Sequence, residues 1–415
     1  MVNASVITIG DELLIGQVID TNSAFIAREL NKAGIPVIRR VAVGDSGDEI
    51  WKALDEEGQH ADIILITGGL GPTADDITKP LLCKYFNGKM IINGSALANV
   101  KNIFETILKR PMIERNLKQA EVPDVCKVIQ NKRGTAPGMW FEKDGKVFIS
   151  MPGVPHEMKG MMEEVIPLLG LRFKTGFIAH RTLLTSGAGE SYLAEMIQEF
   201  EEALPSYIRL AYLPNYGMVR LRLSISGLVM GNLENELEEK FTLLQSLVND
   251  YIVTNEDEPI ESVVGKLLKK KNKTMCTAES CTGGYIAHLI TSLPGSSAYF
   301  NSGIVSYSYK AKEDLLEVDE QTLLKEGAVS EAVVIAMAKG GLKKMKSDYI
   351  IAVSGIMGPG GGMTDKPVGT VWMATGKIDK IITQKFFFRF DRERNITLTA
   401  VNALNMLRKF MEENG

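Results

Sequence analysis

The sequence predicts an α/β protein in three parts: a doubly wound α/β domain, a small α+β middle domain and a second α/β domain. Three observations carry this. Strand-like and helix-like segments alternate from Ser5 to about residue 170, and again after residue 260. Between them the order changes to β-α-β-β-α over 172–253. The run Thr254-Asn255-Glu256-Asp257-Glu258-Pro259 is polar and breaks structure, so it reads as a linker. The boundaries fall at 1–170, 171–253 and 258–413, and 415 residues suit two or three domains.

Val6 to Ile9 is a buried strand by composition, and Gly10-Asp11-Glu12 turns out of it. Asp20-Thr21-Asn22 precedes a helix from Ser23 to Lys32 that Gly34 stops. Pro36 to Val43 is a second strand, ending at Gly44-Asp45, and Asp48 to Glu57 is helical. Asp62 to Thr67 is nearly all aliphatic, as a strand buried on both faces should be. The polar residues follow the carboxyl ends of these strands, where doubly wound sheets bind ligands. They are Asp11 and Glu12, then Asp45, then the loop Gly68-Gly69-Leu70-Gly71-Pro72-Thr73-Ala74-Asp75-Asp76-Ile77-Thr78. This loop offers backbone donors for a phosphate and adjacent carboxylates for a divalent cation. A Gly-rich turn with helix-capping aspartates has the same composition, but three acidic loops on one edge favour a site.

In the middle part a strand at Arg181–Thr185 precedes a helix from Ser191 to Ala203. Strands Tyr207–Leu213 and Met218–Ser226 flank a hairpin signal, Asn215-Tyr216-Gly217. An acidic helix, Asn232 to Asn249, follows. No GxxG nucleic-acid clamp is present, since Ser186-Gly187-Ala188-Gly189-Glu190 has the wrong spacing and a carboxylate, so a spacer is expected.

The last part turns on Ala278-Glu279-Ser280-Cys281-Thr282-Gly283-Gly284, between a strand at Lys273–Thr277 and a helix at Tyr285–Thr291. Two nucleophile-capable side chains sit at a helix start, where free N–H groups favour negative charge. A capped βα turn looks the same, so the motif alone leaves both readings open. A serine needs a base, and the chain has four histidines, at 60, 156, 180 and 288. His288 lies about 12 Å down the helix from Ser280. A lysine with a pKa lowered by burial is the alternative. Lys312 follows the strand Gly303–Tyr309, on which the Tyr307 phenol is placed to relay or orient a proton. On the residues alone, Lys312 reads as a solvated lysine at a helix start.

The bulk numbers exclude several classes. A net charge of −4 carries no global basic signature for nucleic acid or membrane. The four cysteines, at 83, 126, 276 and 281, form no CxxC pair and no disulfide framework. No basic-then-apolar leader precedes the first strand, and no apolar run reaches spanning length. A cytoplasmic protein with no membrane partner is expected.

These motifs carry a resemblance. The Gly10-Asp11-Glu12 turn, Asp45 and the Gly68-Gly69-x-Gly71…Asp76-x-Thr78 loop resemble the molybdopterin-binding fold of the MoaB/MogA family. The resemblance implies that Asp45 and Asp76 serve an active site. It makes Asp11, Asp20, Asn22, Gly68, Gly69, Gly71, Thr73 and Thr78 substrate contacts, with Asp75, Asp76 and Glu157 as cation ligands. The runs Gly134-Thr135-Ala136-Pro137-Gly138 and Met151-Pro152-Gly153-Val154-Pro155-His156-Glu157 depart from MogA and look like the N-terminal domain of the CinA family. The middle part resembles that family's KH-like linker domain in its topology.

From Met275 onward the chain closely resembles the CinA C-terminal domain, the nicotinamide mononucleotide deamidase family. Ala-Glu-Ser-Cys-Thr-Gly-Gly, Pro-Gly-Ser-Ser, Val-Ser-Gly-Ile-x-Gly-Pro with Lys-Pro-Val-Gly-Thr-Val, and a late Asp-Arg occur in order. The resemblance implies that Ser280 attacks a carboxamide, assisted by Lys312 and Tyr307, while Cys281 packs as a small hydrophobe. It places Ser297, Ser354, Gly355 and Arg392 in the substrate site, with Arg394 a close rival of Arg392 for the phosphate, and the Thr282, Gly283 and Gly284 backbone at the oxyanion. Two hydrolyses are implied: nicotinamide mononucleotide to nicotinate mononucleotide and ammonia without a cofactor, and ADP-ribose to AMP and ribose 5-phosphate with a divalent metal ion. Small nucleotides are the expected ligands and a homodimer the expected assembly. A molybdopterin-handling enzyme and a competence-related, DNA-associated protein are the alternatives from other classes; fold analogy is weak support for the first, and the acidic balance speaks against the second.

Overall fold

The structure is a computed structural model that describes residues 1–73, 76–228 and 231–414. The chain divides into two compact units, Met1–His180 with Ser224–Leu237, and Arg181–Leu223 with Glu238–Gly415.

The first unit holds strands β1 (Ala4–Ile9), β2 (Val37–Val43), β3 (Ile63–Thr67), β4 (Met90–Ile92), β5 (Glu121–Pro123), β6 (Lys127–Ile129), β7 (Gly138–Lys143) and β8 (Lys146–Met151). Six of them form one sheet in the order β2-β1-β3-β8-β7-β6. Period-2 alternation splits β1 between two cores. Val6 joins Leu65 and Ile149 under the helices Thr21–Lys32 and Pro155–Arg172. Ile7 joins Ile64 and Ile66 against Ile50, Leu54 and Leu82 of the helices Gly47–His60 and Thr78–Tyr85. The expected doubly wound sheet is therefore present, with helices on both faces. It is not parallel throughout: β2, β1, β3 and β8 are parallel, whereas β7 pairs antiparallel with β8 on one side and β6 on the other. Asp144 and Gly145 both take positive φ between β7 and β8, the two-residue turn that reverses a strand directly.

A four-stranded sheet follows in the order β10-β11-β9-β12, with β9 (Phe177–Ser186), β10 (Ile208–Asn215), β11 (Met218–Gly227) and β12 (Ile252–Thr254). The expected helix over 191–203 is broken at Ile197 into Glu190–Met196 and Gln198–Glu202. β12 lies where the sequence showed only the approach to a linker, and three residues are too few to show periodicity.

In the second unit, Leu184, Met218 and Val253 share a core with Leu404, Met406 and Phe410 of the last helix, Arg392–Asn414. Phe410 is fully buried, a burial that contributes about 3 kcal/mol. The terminal sheet has the order β14-β13-β15-β16-β17, from β13 (Met275–Glu279), β14 (Phe300–Val305), β15 (Tyr349–Gly355), β16 (Thr370–Lys377) and β17 (Lys380–Phe387). β14, β13 and β15 are parallel, and β16 and β17 are antiparallel. One face packs on helices Ile260–Lys271, Tyr285–Thr291 and Arg392–Asn414, the other on Glu331–Met345 and Tyr309–Leu316. β13 starts two residues later than expected, because Asp348 accepts from the Thr274 N–H and pairs with Lys273 before the strand begins. β14 pairs from Phe300 and ends at Val305, so Tyr307 lies beyond the strand expected to carry it.

Candidate active sites

Ser280 follows the carboxyl end of β13, and Ser354 closes β15 beside it. Ser280 is nearly buried, and the Lys312 Nζ donates to its Oγ at 2.8 Å. Lys312 stands on helix Tyr309–Leu316 and is fully buried. Its other contacts are the Ser306 carbonyl at 2.6 Å and the Tyr307 carbonyl at 3.4 Å. No carboxylate pairs with it among the described residues. Burial lowers its pKa to about 8, within reach of a general base at neutral pH. The neighbouring Cys281 is the opposite case. It is buried, and burial pushes its thiol up to about 12, so it stays protonated and inert.

Tyr307 and Arg392 are brought together. The Arg392 Nη2 donates to the Tyr307 hydroxyl at 3.1 Å and Nη1 donates to the Gly358 carbonyl at 2.8 Å. The phenol therefore faces the guanidinium rather than Lys312. Arg394 lies over the Phe390 ring at 4.0 Å. Of the two arginines, Arg392 is the one that contacts Tyr307, whose carbonyl accepts from Lys312. The Ser354 hydroxyl donates to the Ala328 carbonyl at 2.7 Å, with Gly355 next to it in the strand. Ser297 lies toward the opposite end of β13 from Ser280. It precedes β14, whose Phe300 pairs with Met275 at the amino end of β13, and a five-residue strand separates the two ends by about 17 Å.

The turn after Ser280 differs from expectation in one chemical respect. Gly283 and Gly284 both take positive φ, and the space beside Gly283 is open, as close ligand approach requires. Their N–H groups are nevertheless used inside the turn. Gly283 donates to the Ser280 carbonyl, and Gly284 donates to Glu279 Oε2 at 3.1 Å. Glu279 is wholly buried and also accepts from Thr282 Oγ1 at 2.7 Å, Ile286 N at 3.0 Å and Ala287 N at 2.9 Å. The negative charge that this helix start binds is thus the protein's own carboxylate. Among the described residues no oxygen accepts from the Cys281 or Thr282 N–H; both donate to the Cys281 sulfur, a weak acceptor. Sequence reasoning passed over Glu279, although a carboxylate one residue ahead of the nucleophile, at a strand end, was the available signal. Glu279→Gln turns an NH2 toward a backbone N–H, and a buried donor left without an acceptor costs about 1–3 kcal/mol. Denaturant unfolding is expected to show that loss together with slower turnover; unchanged stability and rate would remove Glu279 from this role.

A cleft of about 430 Å³ opens beside this turn, lined by Thr282, Gly283, Gly284, Tyr285, His288 and Glu393 among others.

The first unit gathers its polar residues at the carboxyl edge of β2, β1, β3 and β8. A pocket of about 370 Å³ is lined by Asp45, Gly68, Gly69, Gly71, Asp76 and Glu157. Asp20 and Asn22 line a smaller cavity of about 100 Å³ that also includes Glu12 and Gly153. Asp20 caps its helix through the Ser23 N–H at 2.9 Å. Asn22 donates to the Gly153 carbonyl at 2.7 Å, and its buried Oδ1 has no partner among the described residues. A side chain at Gly68 would stand 2.1 Å from the Ile9 carbonyl, so only glycine lets this loop close on β1. Asp11 and Asp45 exchange hydrogen bonds, each accepting from the other's backbone N–H at 3.1 Å.

The carboxylates expected to hold a cation have protein partners of their own. Asp76 accepts from Gly71 N at 2.8 Å, from Thr73 N at 2.9 Å and from the Thr73 hydroxyl, so it organises its own loop. Glu157 accepts from Asn131 Nδ2 at 2.6 Å, and burial raises its pKa. Thr78 is fully buried at a helix start, against Gly69. Asp75 lies outside the described residues. Among those described, no three His, Cys, Asp or Glu side chains group to hold a metal. Sequence reasoning also missed Gln119, which accepts from the Thr135 hydroxyl and whose buried Nε2 has no partner among the described residues. It stands in a stretch where no motif was read. Behind it Lys79 donates to the Gln119 carbonyl at 3.1 Å, and burial lowers that lysine to about 8.

Fold and site together define a class: a multidomain α/β protein with a serine–lysine pair at one sheet edge and a phosphate-type Gly-rich loop at another. Known proteins share this layout. Family models match at residues 5–170 (probable molybdopterin binding domain), 180–254 (damage-inducible protein CinA KH domain) and 257–411 (CinA C-terminal domain). A CinA-like protein of Cytophaga hutchinsonii is 47% identical over 411 residues, covering 99% of this chain and 98% of that one. One of Flavobacterium psychrophilum is 47% identical over 413 residues and covers 99% of both. A solved CinA superfamily structure from Klebsiella pneumoniae, 34% identical, covers 37% of this chain and 96% of its own, with TM-score 0.37. The chain belongs to the CinA family, with a MoaB/MogA-like N-terminal domain and a KH-like middle domain. Among the described residues no helix is long and apolar enough to cross a membrane.

Proposed function

We propose that the C-terminal domain hydrolyses the carboxamide of nicotinamide mononucleotide and that the N-terminal domain hydrolyses the pyrophosphate of ADP-ribose. The observation that carries the first half is the 2.8 Å contact between a buried lysine amine and Ser280 Oγ. With Lys312 neutral, the Ser280 hydroxyl donates to Nζ, and Oγ attacks the amide carbon as its proton moves to Nζ. The Cys281 and Thr282 N–H groups, which otherwise meet only the weakly accepting Cys281 sulfur, turn to the oxyanion. The ammonium then returns its proton to the departing nitrogen, and ammonia leaves an acyl-serine. Water, deprotonated by Lys312, attacks the ester; the acid is released, and the proton goes back to Oγ. Arg392, held by Tyr307 and the Gly358 carbonyl, supplies the charge for the substrate phosphate.

The second half is supported by the Gly-rich loop after β3 and the Asp45 and Glu157 carboxylates in one pocket. The loop backbone faces the phosphates and Asp45 the attacking water. Asp76 and Glu157, which line this pocket, are the described carboxylates that would hold a divalent cation, whose chemistry there would be to neutralise charge on the phosphates. Purified protein given each nucleotide separately tests both halves through released ammonia and AMP. Asp76→Ala removes the acceptor that holds Gly71 and Thr73, and a misplaced loop is expected to cost at least about 100-fold in AMP release. Ammonia release should persist in that variant and under chelation, while chelation stops AMP release. Loss of both activities in the folded variant would show that the two halves do not have separate sites.

A further inference from the structure

The second unit contains a chamber that neither half-reaction uses. It measures about 770 Å³ and is lined by the Gly187–Glu190 loop, the 214–219 hairpin and residues 391–394 ahead of and within the last helix. It adjoins the cleft beside the Ser280 turn, because Glu393 lines both. Its walls are fixed rather than loosely apposed. Asn405 of the last helix donates to the Ser186 hydroxyl at 2.9 Å, and Met218 belongs to the same core as Leu404.

We propose that this chamber binds a nucleoside 5′-phosphate, next to the phosphate end of the amidase site. The choice of a nucleotide rests on the amidase reading above. The chemistry of the walls matches each part of such a ligand. Arg394 has no carboxylate partner among the described residues and presents a guanidinium two residues from Arg392. One helix start thus sends one arginine to the Ser280 side and one to the chamber. Tyr216 offers an exposed aromatic face for a base. It holds that place at φ 47, a left-handed conformation that a tyrosine enters at a cost. The space beside Gly189 is open, so a ligand can lie against the backbone there. The carboxylates of Glu190, Asp391 and Glu393 repel any phosphate, and only a ligand with ribose hydroxyls to donate to them, and a base for Tyr216, offsets that repulsion, so inorganic phosphate alone is a poor ligand.

The same chemistry has two sources: a free nucleotide, or the distal half of a pyridine dinucleotide whose amide reaches Ser280. Titration calorimetry of the full-length chain with AMP, a pyridine dinucleotide and inorganic phosphate separates them. Tyr216→Asn removes the ring at a turn position that asparagine favours, and Arg394→Gln removes the charge. An AMP-binding component is expected that Asp76→Ala leaves intact and that each chamber substitution weakens at least about 10-fold; phosphate should bind at least about 10-fold more weakly than AMP. Dinucleotide binding that both substitutions weaken, with AMP competing against it but not against the mononucleotide, identifies the distal half; dinucleotide binding insensitive to both identifies the free nucleotide. If no AMP component shows that pattern while the protein releases ammonia from the mononucleotide, the chamber proposal falls and the amidase reading stands. The pattern without any ammonia release keeps the chamber as a nucleotide site and overturns the amidase reading.

Discussion

Ser280→Ala is expected to lower ammonia release from nicotinamide mononucleotide by at least about 1000-fold, the scale of losing an activated nucleophile. Cys281→Ala should retain most of the activity, and thiol alkylation should inhibit weakly. By intrinsic reactivity the order would be reversed, because a free thiol is partly ionised at neutral pH and a hydroxyl is not. Position decides it. The Cys281 thiol is buried and pushed up to about 12, in the apolar cluster with Ile286 and Val353. Ser280 Oγ, one residue earlier, meets the only lysine amine placed against it among the described contacts. A dead Cys281→Ala beside an active Ser280→Ala would make this a cysteine amidase.

Lys312→Met is expected to match Ser280→Ala in its loss, because a serine without its base is a poor nucleophile. The pH profile gives an independent check with a defined sign. The base acts when neutral, and burial lowers its pKa to about 8. Turnover should therefore rise with pH as one proton is lost, be half-maximal near pH 8, and fall about tenfold per unit well below it. Methionine keeps the volume and removes the cost of a buried amine, so the variant should be at least as stable to denaturant as the parent. A flat profile between pH 6 and about pH 9, or a Lys312→Met enzyme within tenfold of the parent, would remove Lys312 as the base.

The two proposed activities would place different demands on their sites. The proposed amidase half would depend on a single buried contact, and any change that admits water around Lys312 raises its pKa and moves the expected profile upward. The proposed N-terminal half would depend on backbone shape, set by the close approach of Gly68 to Ile9 and by the hydrogen bonds of Asp76. Substitutions there act through geometry more than through charge.

How much was legible follows from what kind of information a residue carries. Strand and helix periodicity is local, so β1, β3 and the helices Thr21–Lys32 and Tyr285–Thr291 were readable within a residue or two. The loops after the strands were readable for the same reason: a parallel sheet puts them on one edge wherever the strands run. The serine at the β13 turn was legible as a candidate, but its base was not. Lys312 lies 32 residues away, and on its own it looks like a solvated lysine. Only the packing of helix Tyr309–Leu316 strips it of water and sets its amine on Ser280. The tertiary structure also gave Glu279 the helix-start N–H groups that the motif had seemed to reserve for substrate. It separated Ser297 from its expected site by the length of a strand, through the pairing of Phe300 with Met275. It turned Tyr307 toward Arg392, because β14 ends at Val305 and frees the tyrosine from the sheet. Residue type and spacing therefore determined which chemistry the chain could carry. Burial, strand register and the competition for each hydrogen bond decided which side chains carry it, because a residue's protonation and reach depend on neighbours that are distant along the chain.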